Sequence, residues 1–295
     1  MKRAVAVAAL AVLASCKPAT PSPAASPRLH AGADELIPAG LDLVVRIDVA
    51  RLRRTLGDAA LARATAFASG SVARALTSAS TVFLGFRGPP DGGLSDVVIA
   101  ATGSFGSFDP ARDDATAWRE AERTPTTRRF VALAPAERAA PAWLFVEDGR
   151  LLLAASAAEV DAAERHLASP RKAALDPPAD GVVGIAARVR AIPDATLRAY
   201  PEVAAALVGV TSLRGTLDAE GGLVRVDVIA AFRAENDATR AERTIRRVIA
   251  ALEGAGGAAA VIAKVATVER AAPTSFVLRV RLPANDLAAL TPTAK

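Results

Sequence analysis

The second half of this chain repeats short phrases of the first in the same order, and that repetition limits the fold more than any other feature of its 295 residues. Val44-Val45-Arg46-Ile47 is answered by Val182-Val183-Gly184-Ile185. Asp91-Gly92-Gly93-Leu94 with Val98-Ile99-Ala100-Ala101 is answered by Glu220-Gly221-Gly222-Leu223 with Val228-Ile229-Ala230-Ala231. With a gap allowed, Asp114-Ala115-Thr116 and Ala121-Glu122-Arg123-Thr124 match Asp237-Ala238-Thr239 and Ala241-Glu242-Arg243-Thr244. Finally, Glu137-Arg138-Ala139-Ala140-Pro141 matches Glu269-Arg270-Ala271-Ala272-Pro273. One such match means little in a chain so rich in Ala, but a shared order is the mark of an internal repeat. The chain therefore reads as two tandem units, 35–172 and 173–295, joined near Pro170-Arg171-Lys172 and Pro177-Pro178. Whether they share one sheet is open at this point.

In the first unit Leu43, Val45, Ile47 and Val49 alternate with Asp42, Val44, Arg46 and Asp48, the period of a half-buried strand. The same reasoning predicts strands over 81–87, 94–102, 129–133, 142–147 and 150–154. Helical stretches are expected over 51–76, broken around Gly57 and Gly70, and over 113–123. Glu147-Asp148-Gly149-Arg150 is a hairpin turn, because Asp-Gly tolerates positive φ. Ser156 and Glu159 have the spacing of a capping box ahead of a helix ending near Leu167. In the second unit a helix is expected from Asp237 to Glu253, capped by Asn236 or Asp237 and stopped by Gly254. Its apolar face carries Ala241, Ile245, Val248, Ile249 and Leu252. Strands over 259–267 and 275–282 follow, with Phe276, Leu278, Val280 and Leu282 facing one way and Arg279 and Arg281 the other. Short gaps between strands point to an α+β fold of mostly antiparallel sheet, covered by helices on one face.

The N-terminus addresses the chain rather than folding it. Lys2 and Arg3 precede an apolar run from Ala4 to Leu13, and small residues follow, which are the three parts of an export signal. A run that short does not cross a bilayer as a permanent helix. Leu13-Ala14-Ser15-Cys16 resembles the lipobox of bacterial lipoproteins. In that family the Cys thiol receives diacylglycerol, the small residues before it admit the lipoprotein signal peptidase, and the freed amine is acylated. The resemblance implies recognition through Leu13, Ala14 and Ser15, removal of residues 1–15, and a membrane anchor of lipid, palmitate among it, on Cys16. One acyl chain holds a protein only marginally, at about 0.8 kcal/mol per buried CH₂, whereas two or more hold it stably. Lys17 stands where lipoproteins retained at the inner membrane carry Asp, which favours the outer membrane. Residues 16–34, with Pro18, Pro21, Pro23 and Pro27 among Ala, Ser and Thr, form a tether of extended character. The phrase from Leu36 to Asp48, Leu-Ile-Pro-Ala-Gly-Leu-Asp-Leu-Val-Val-Arg-Ile-Asp, is similar to the opening of uncharacterised secreted bacterial proteins and implies no activity.

Chemistry is hard to find along the rest. Cys16 is the single Cys, His30 lies in the tether, and His166 sits beside Arg165 at a helix end, so a Cys/His zinc site is excluded. Asp109 to Asp114 lacks calcium-loop spacing, and Asp113-Asp114 suits a helix start. Gly103-Ser104-Phe105-Gly106-Ser107 only approaches a nucleophile elbow and reads as a turn after a strand. Gly254-Ala255-Gly256-Gly257 follows a helix rather than a strand, the wrong context for a phosphate loop. Loss of Lys2 and Arg3 lowers the formal charge of +5 by two, and the remaining Arg alternates with acids while aromatics make up 4%. Nucleic-acid binding is therefore not expected. The basic runs Arg51-Leu52-Arg53-Arg54, Arg128-Arg129 and Arg246-Arg247 read as solvated faces, and Trp118 and Trp143 as core.

These readings leave no catalytic set, no metal and no cofactor to be expected. They favour a non-enzymatic, membrane-anchored envelope lipoprotein acting as a binding or scaffold module toward another envelope component. The alternative is a periplasmic carrier or sensor of an apolar ligand, for which walls rich in Ala and Val would leave room.

Overall fold

The alternation around Arg46 does form a strand, and eleven others join it in one sheet. The computed structural model describes residues 32–283 apart from 59–60, 62–69, 89–95, 135–139, 193 and 255–256. The signal segment, Leu13, Ala14, Ser15, Cys16 and the tether to residue 31 lie outside the described residues. So do Asp91-Gly92-Gly93-Leu94 and most of the Glu137–Pro141 phrase.

The first half contributes β1 (Leu43–Asp48), β2 (Ala79–Arg87), β3 (Asp96–Gly103), β4 (Trp118–Arg123), β5 (Thr127–Ala132), β6 (Pro141–Glu147) and β7 (Leu151–Ser156). Its helices are α1 (Val49–Leu56), α2 (Gly70–Thr77), α3 (Pro110–Asp113) and α4 (Val160–Ala168). The second half contributes β8 (Val183–Ala187), β9 (Val210–Glu220), β10 (Leu223–Phe232), β11 (Ala266–Ala272) and β12 (Ser275–Pro283). Its helices are α5 (Asp194–Ala199), α6 (Pro201–Ala206), α7 (Glu235–Glu253) and α8 (Gly257–Val265). The strand order is β11-β12-β10-β9-β8-β1-β2-β3-β7-β6-β5-β4, and every neighbouring pair is antiparallel. The described residues form an α+β fold, about 34% helix and 41% strand.

The halves meet within the sheet, where β1 pairs with β8 in the register Val45 to Ile185 and Arg46 to Gly184. Residues in register share a face, so two rows describe the whole sheet. The front row through Val45 runs over Leu84, Ile99, Ala154 and Leu144 one way, and over Ile185, Gly215, Val228 and Leu278 the other. The back row through Arg46 runs over Phe83, Ala100 and Leu153 one way, and over Gly184, Thr216, Asp227 and Arg279 the other.

Helices cover the front of both halves. Val49 and Leu52 of α1 and Val72, Ala75 and Leu76 of α2 close over Ile47, Val82, Leu84 and Ile99 in one core cluster. In the second half Ala206 of α6 and Ala238 and Ala241 of α7 pack on Ala230, Phe232, Val268 and Phe276. Full burial of a side chain such as Leu76 stabilises by roughly 1.5–3 kcal/mol, so packing of this kind replaces the disulfides the chain lacks.

The expected one-sided cover fails in the first half. Every residue from Val97 to Ala101 and from Leu151 to Ser156 is buried, which requires cover on both faces. On the back the 3₁₀ turn Ala33–Leu36 packs on β2 and β3, α4 packs on β7, and Ile37 and Leu41 come down onto Gly85.

Four local expectations are corrected. The predicted helix over 113–123 is the single turn α3 followed by the edge strand β4, where Trp118 to Arg123 pairs with β5. The predicted strand over 259–267 is mostly helix α8. Helix α7 starts at Glu235 behind Ala234, without a side-chain cap from Asn236 or Asp237. The Ser156–Glu159 capping box does not form: Ser156 Oγ accepts the Val97 N–H at 3.1 Å, and Glu159 turns to Arg87. The Asp148-Gly149 hairpin is as expected, with φ of 49° and 62°.

Candidate functional site

Two groups of polar side chains lie along the β1–β8 seam. At one end of the central strands Asp42, just before β1, is 2% exposed. Its carboxylate accepts the Gly88 N–H at 3.3 Å and the Arg190 Nε–H, with Arg188 Nη1 at 3.6 Å. Beside it the guanidinium of Arg87 grips Glu159, itself 2% exposed, through two hydrogen bonds of 2.5 and 3.2 Å. The Glu159 hydrogen bond raises the Arg87 pKa above the ordinary arginine value, against the opposing effect of burial. Both acids are matched by cations, so this end is a clasp, stapling β1 to the second half and α4 to β2.

The other group is less complete. Arg46 sits mid-strand on the back face, with its side chain only 15% exposed. A guanidinium brings five N–H donors. Among the described residues Arg46 makes one hydrogen bond, from Nη1 to the Gly181 carbonyl at 3.3 Å, and one loose ion pair, Nη2 to Asp48 at 3.9 Å. It lines an open cavity of about 510 Å³, within the size range of ligand sites.

The cavity exists because the segment joining the halves crosses the back of the sheet. Gly184 carries no side chain, and Pro178 passes so close that an added Cβ would fall 2.0 Å from its carbonyl oxygen. This segment, through Lys172, Asp176, Pro177, Pro178 and Ala179, forms one wall. The 3₁₀ turn supplies Gly32, Ala33 and Asp34. The floor is Arg46, Thr81, Phe83 and Thr102, with Arg214 of β9 at the far side. Asp176 crosses part of this space: its carboxylate takes the Lys172 ammonium at 3.0 Å, and its carbonyl accepts from Arg214 Nη2 at 2.7 Å. The hydrogen bond to Asp176 raises the Lys172 pKa above the ordinary lysine value. Three cations from three elements therefore face one cavity, two of them held by Asp176.

The sequence had marked Arg46 only as a polar position in a strand and Lys172 only as part of a joint. Nothing in the sequence brings them together, because the cavity depends on where the joining segment crosses. The candidates weighed from the sequence lie elsewhere. His166 Nε2 donates to the Arg171 carbonyl at 2.8 Å on the surface. Asp113 pairs with Arg74 at 3.2 Å, and Asp114 holds the turn through Thr116 and Ala117. The Gly103–Ser107 turn is fixed by backbone hydrogen bonds from Ser104 to Ser78 and from Phe105 to Gly149. Trp143 stacks in the core on Phe145 at 6.1 Å, and Trp118 packs half-buried against the front cluster from edge strand β4.

The basic runs are largely neutralised within the fold: Arg51 by Asp218, Arg53 by Asp58, Arg128 by Asp109 and Glu120, and Arg246 by Glu242. Among the described residues no three His, Cys, Asp or Glu converge as a metal set. No described helix is long and apolar enough to cross a membrane. Cys16, Leu13, Ala14 and Ser15 lie outside the described residues.

The class this structure defines is an α+β protein built on one wide, wholly antiparallel sheet with helical cover. The same fold is found in TP0453, a Treponema envelope protein: its crystal form I aligns with a TM-score of 0.54 at 9% identity, over 89% of this chain and 97% of that one. Crystal forms III and IV align less closely, with TM-scores of 0.48 and 0.47 at 12% identity, over 88% and 87% of this chain and 97% and 95% of theirs. At such identities the likeness speaks for the fold alone. No protein-family model and no curated protein matches the sequence.

Proposed function

We propose that this chain is a lipoprotein of the bacterial envelope, anchored through Cys16 to the outer membrane, which works by binding rather than by catalysis. The cavity at the β1–β8 seam is its binding site. The observation that carries this reading is Arg46, a largely buried guanidinium with one long hydrogen bond, lining about 510 Å³ of open space. Most of its donors are uncommitted among the described residues and face that space, where a ligand can reach them. The envelope setting is supported by the lipobox and by the fold shared with an envelope protein. The runs β1-β2-β3 and β8-β9-β10, which lead away from the seam in opposite directions, support reading the halves as two copies of one unit.

The test is a photo-crosslinking side chain placed in living cells at Ala179 on the cavity rim, with Arg54 on the exposed side of α1 as control. An adduct specific to Ala179, resolved by mass, is expected. No adduct at Ala179, or the same adduct at both positions, would overturn the assignment. Palmitate labelling that is absent from the wild type, or retained in Cys16→Ala, would overturn the anchor.

A second reading, an apolar ligand held between sheet and helices, draws on the front face. There Ile185 keeps 38% exposure beside Gly215, with Val226 and Val228 half-buried. Lipid co-purifying with the wild type and lost on Ile185→Asp would favour it over the cavity.

A further inference from the structure

We infer that the seam cavity takes an oxyanion, a carboxylate or phosphate carried on a small body with an apolar side. This rests on the cavity being the binding site. Lys172 is already paired with a carboxylate, that of Asp176 at 3.0 Å, and an external anion would take that carboxylate's place. Asp176 lies on the joining segment and is half-exposed, so it can turn outward to solvent when an anion arrives. Arg46 is the fixed partner. Its position on a central strand paired on both sides leaves the backbone no freedom, and most of its planar donor set is uncommitted among the described residues. Arg214, held only through a backbone carbonyl among the described residues, keeps its full charge for a ligand. Phe83 on the floor and Pro177 on the wall give the ligand's body an apolar surface. The hydroxyl of Thr81 stands beside them as a further donor, while that of Thr102 is engaged with Ser80 Oγ at 3.1 Å. Asp34 at the entrance disfavours highly charged polyanions and suits a ligand with one oxyanion.

The experiment is calorimetric titration of the unlipidated chain from Lys17 with three soluble probes: inorganic phosphate, glycerol 3-phosphate and hexanoate. Flotation is run in parallel on vesicles of phosphatidylglycerol and of phosphatidylcholine. Saturable binding of at least one soluble probe is expected, weakened about ten- to a hundred-fold by Lys172→Ala and by Arg214→Ala, each of which removes one charged hydrogen-bond donor. Arg46→Met should abolish it, and the two rim variants carry the test if Arg46→Met does not fold. Arg225→Ala, on the same face but outside the cavity, should leave it unchanged. Flotation with phosphatidylglycerol alone, competed by glycerol 3-phosphate, identifies a lipid headgroup as the source; binding of soluble probes without flotation identifies a free solute. A folded chain that binds no probe overturns the inference, as does equal weakening by Arg225→Ala. If the Ala179 adduct still forms in that case, the ligand class is wrong while the binding site stands. If neither is seen, both readings fall.

Discussion

A single methyl group placed at Gly184 should damage the protein, while the same group on the next strand should not. In β8 the added Cβ of Gly184→Ala would sit 2.0 Å from the Pro178 carbonyl oxygen, where ordinary contact begins at 3.4 Å. The joining segment must therefore lift by about 1.4 Å, and because the obstacle is backbone, no rotamer change relieves it. Overpacking of this kind costs roughly 1–3 kcal/mol. For a chain of this size that is about 2–4 °C in Tm per kcal/mol, so a fall of roughly 2–12 °C is expected. Gly215, paired with Ile185 on β9, faces the front, and its nearest neighbour would lie 3.6 Å from an added Cβ. There Gly215→Ala restricts only the unfolded chain and should raise stability by about 0.5–1 kcal/mol. Thermal unfolding by circular dichroism measures both, and tryptic cleavage after Lys172 should speed up in Gly184→Ala alone. Equal losses at the two positions would refute the reasoning, since they would trace to the sheet rather than to the crossing segment; so would a Gly184→Ala variant as stable as the wild type.

Other perturbations test other parts of the structure. Arg87→Met strands the buried Glu159 carboxylate and should cost about 3–5 kcal/mol in urea denaturation, whereas Arg87→Met with Glu159→Leu should cost less than the single change. Asp42→Ala removes the carboxylate held by Arg190 and the Gly88 N–H, and should lower stability by about 1.5–3 kcal/mol with loss of amide-exchange protection at the β1–β8 seam. Burial pushes the Asp109 carboxyl up, but the Arg112 N–H and the Arg128 guanidinium outweigh it; Glu120 is lowered through Arg123 and Arg128, again against burial. Carboxylates held below their ordinary range stabilise the fold above that range and lose the contribution as pH falls through and below it. Arg128→Ala should therefore lower Tm near neutrality and differ progressively less from the wild type as pH falls toward about 2.

The alternating strands were legible because one side of each meets a core. β10 carries a period that burial largely respects, whereas β1 and β12 also bury Val44 and Val277 on the opposite face; Asp148-Gly149 could be read from backbone sterics alone. β4 was not legible. Trp118-Arg119-Glu120-Ala121-Glu122-Arg123 has the residues of a good helix, and the ladder to β5, with Arg128 held by Glu120, overrides that preference. Residues 257–265, nearly all small or apolar, show no period that separates a buried strand from a helix. Glu159 has the spacing of a cap, but a charged partner 72 residues earlier in the chain outbids a local N–H. The cavity was invisible for a related reason. Arg46 and Lys172 acquire a common environment only through the path of the joining segment over Gly184, a fact about tertiary geometry that leaves no periodic trace.

The β1–β8 seam also sets a timetable for the growing chain. The 135 residues that separate Arg46 from Gly181 must be made before β1 can meet its second neighbour. In an exported chain that pairing waits until the second half has also crossed the membrane, and until then the innermost strand of the N-terminal half presents a bare edge. A chain in that condition would be a natural client for holdase chaperones of the envelope, and a product truncated between the halves would stick to its own kind rather than work as a smaller protein.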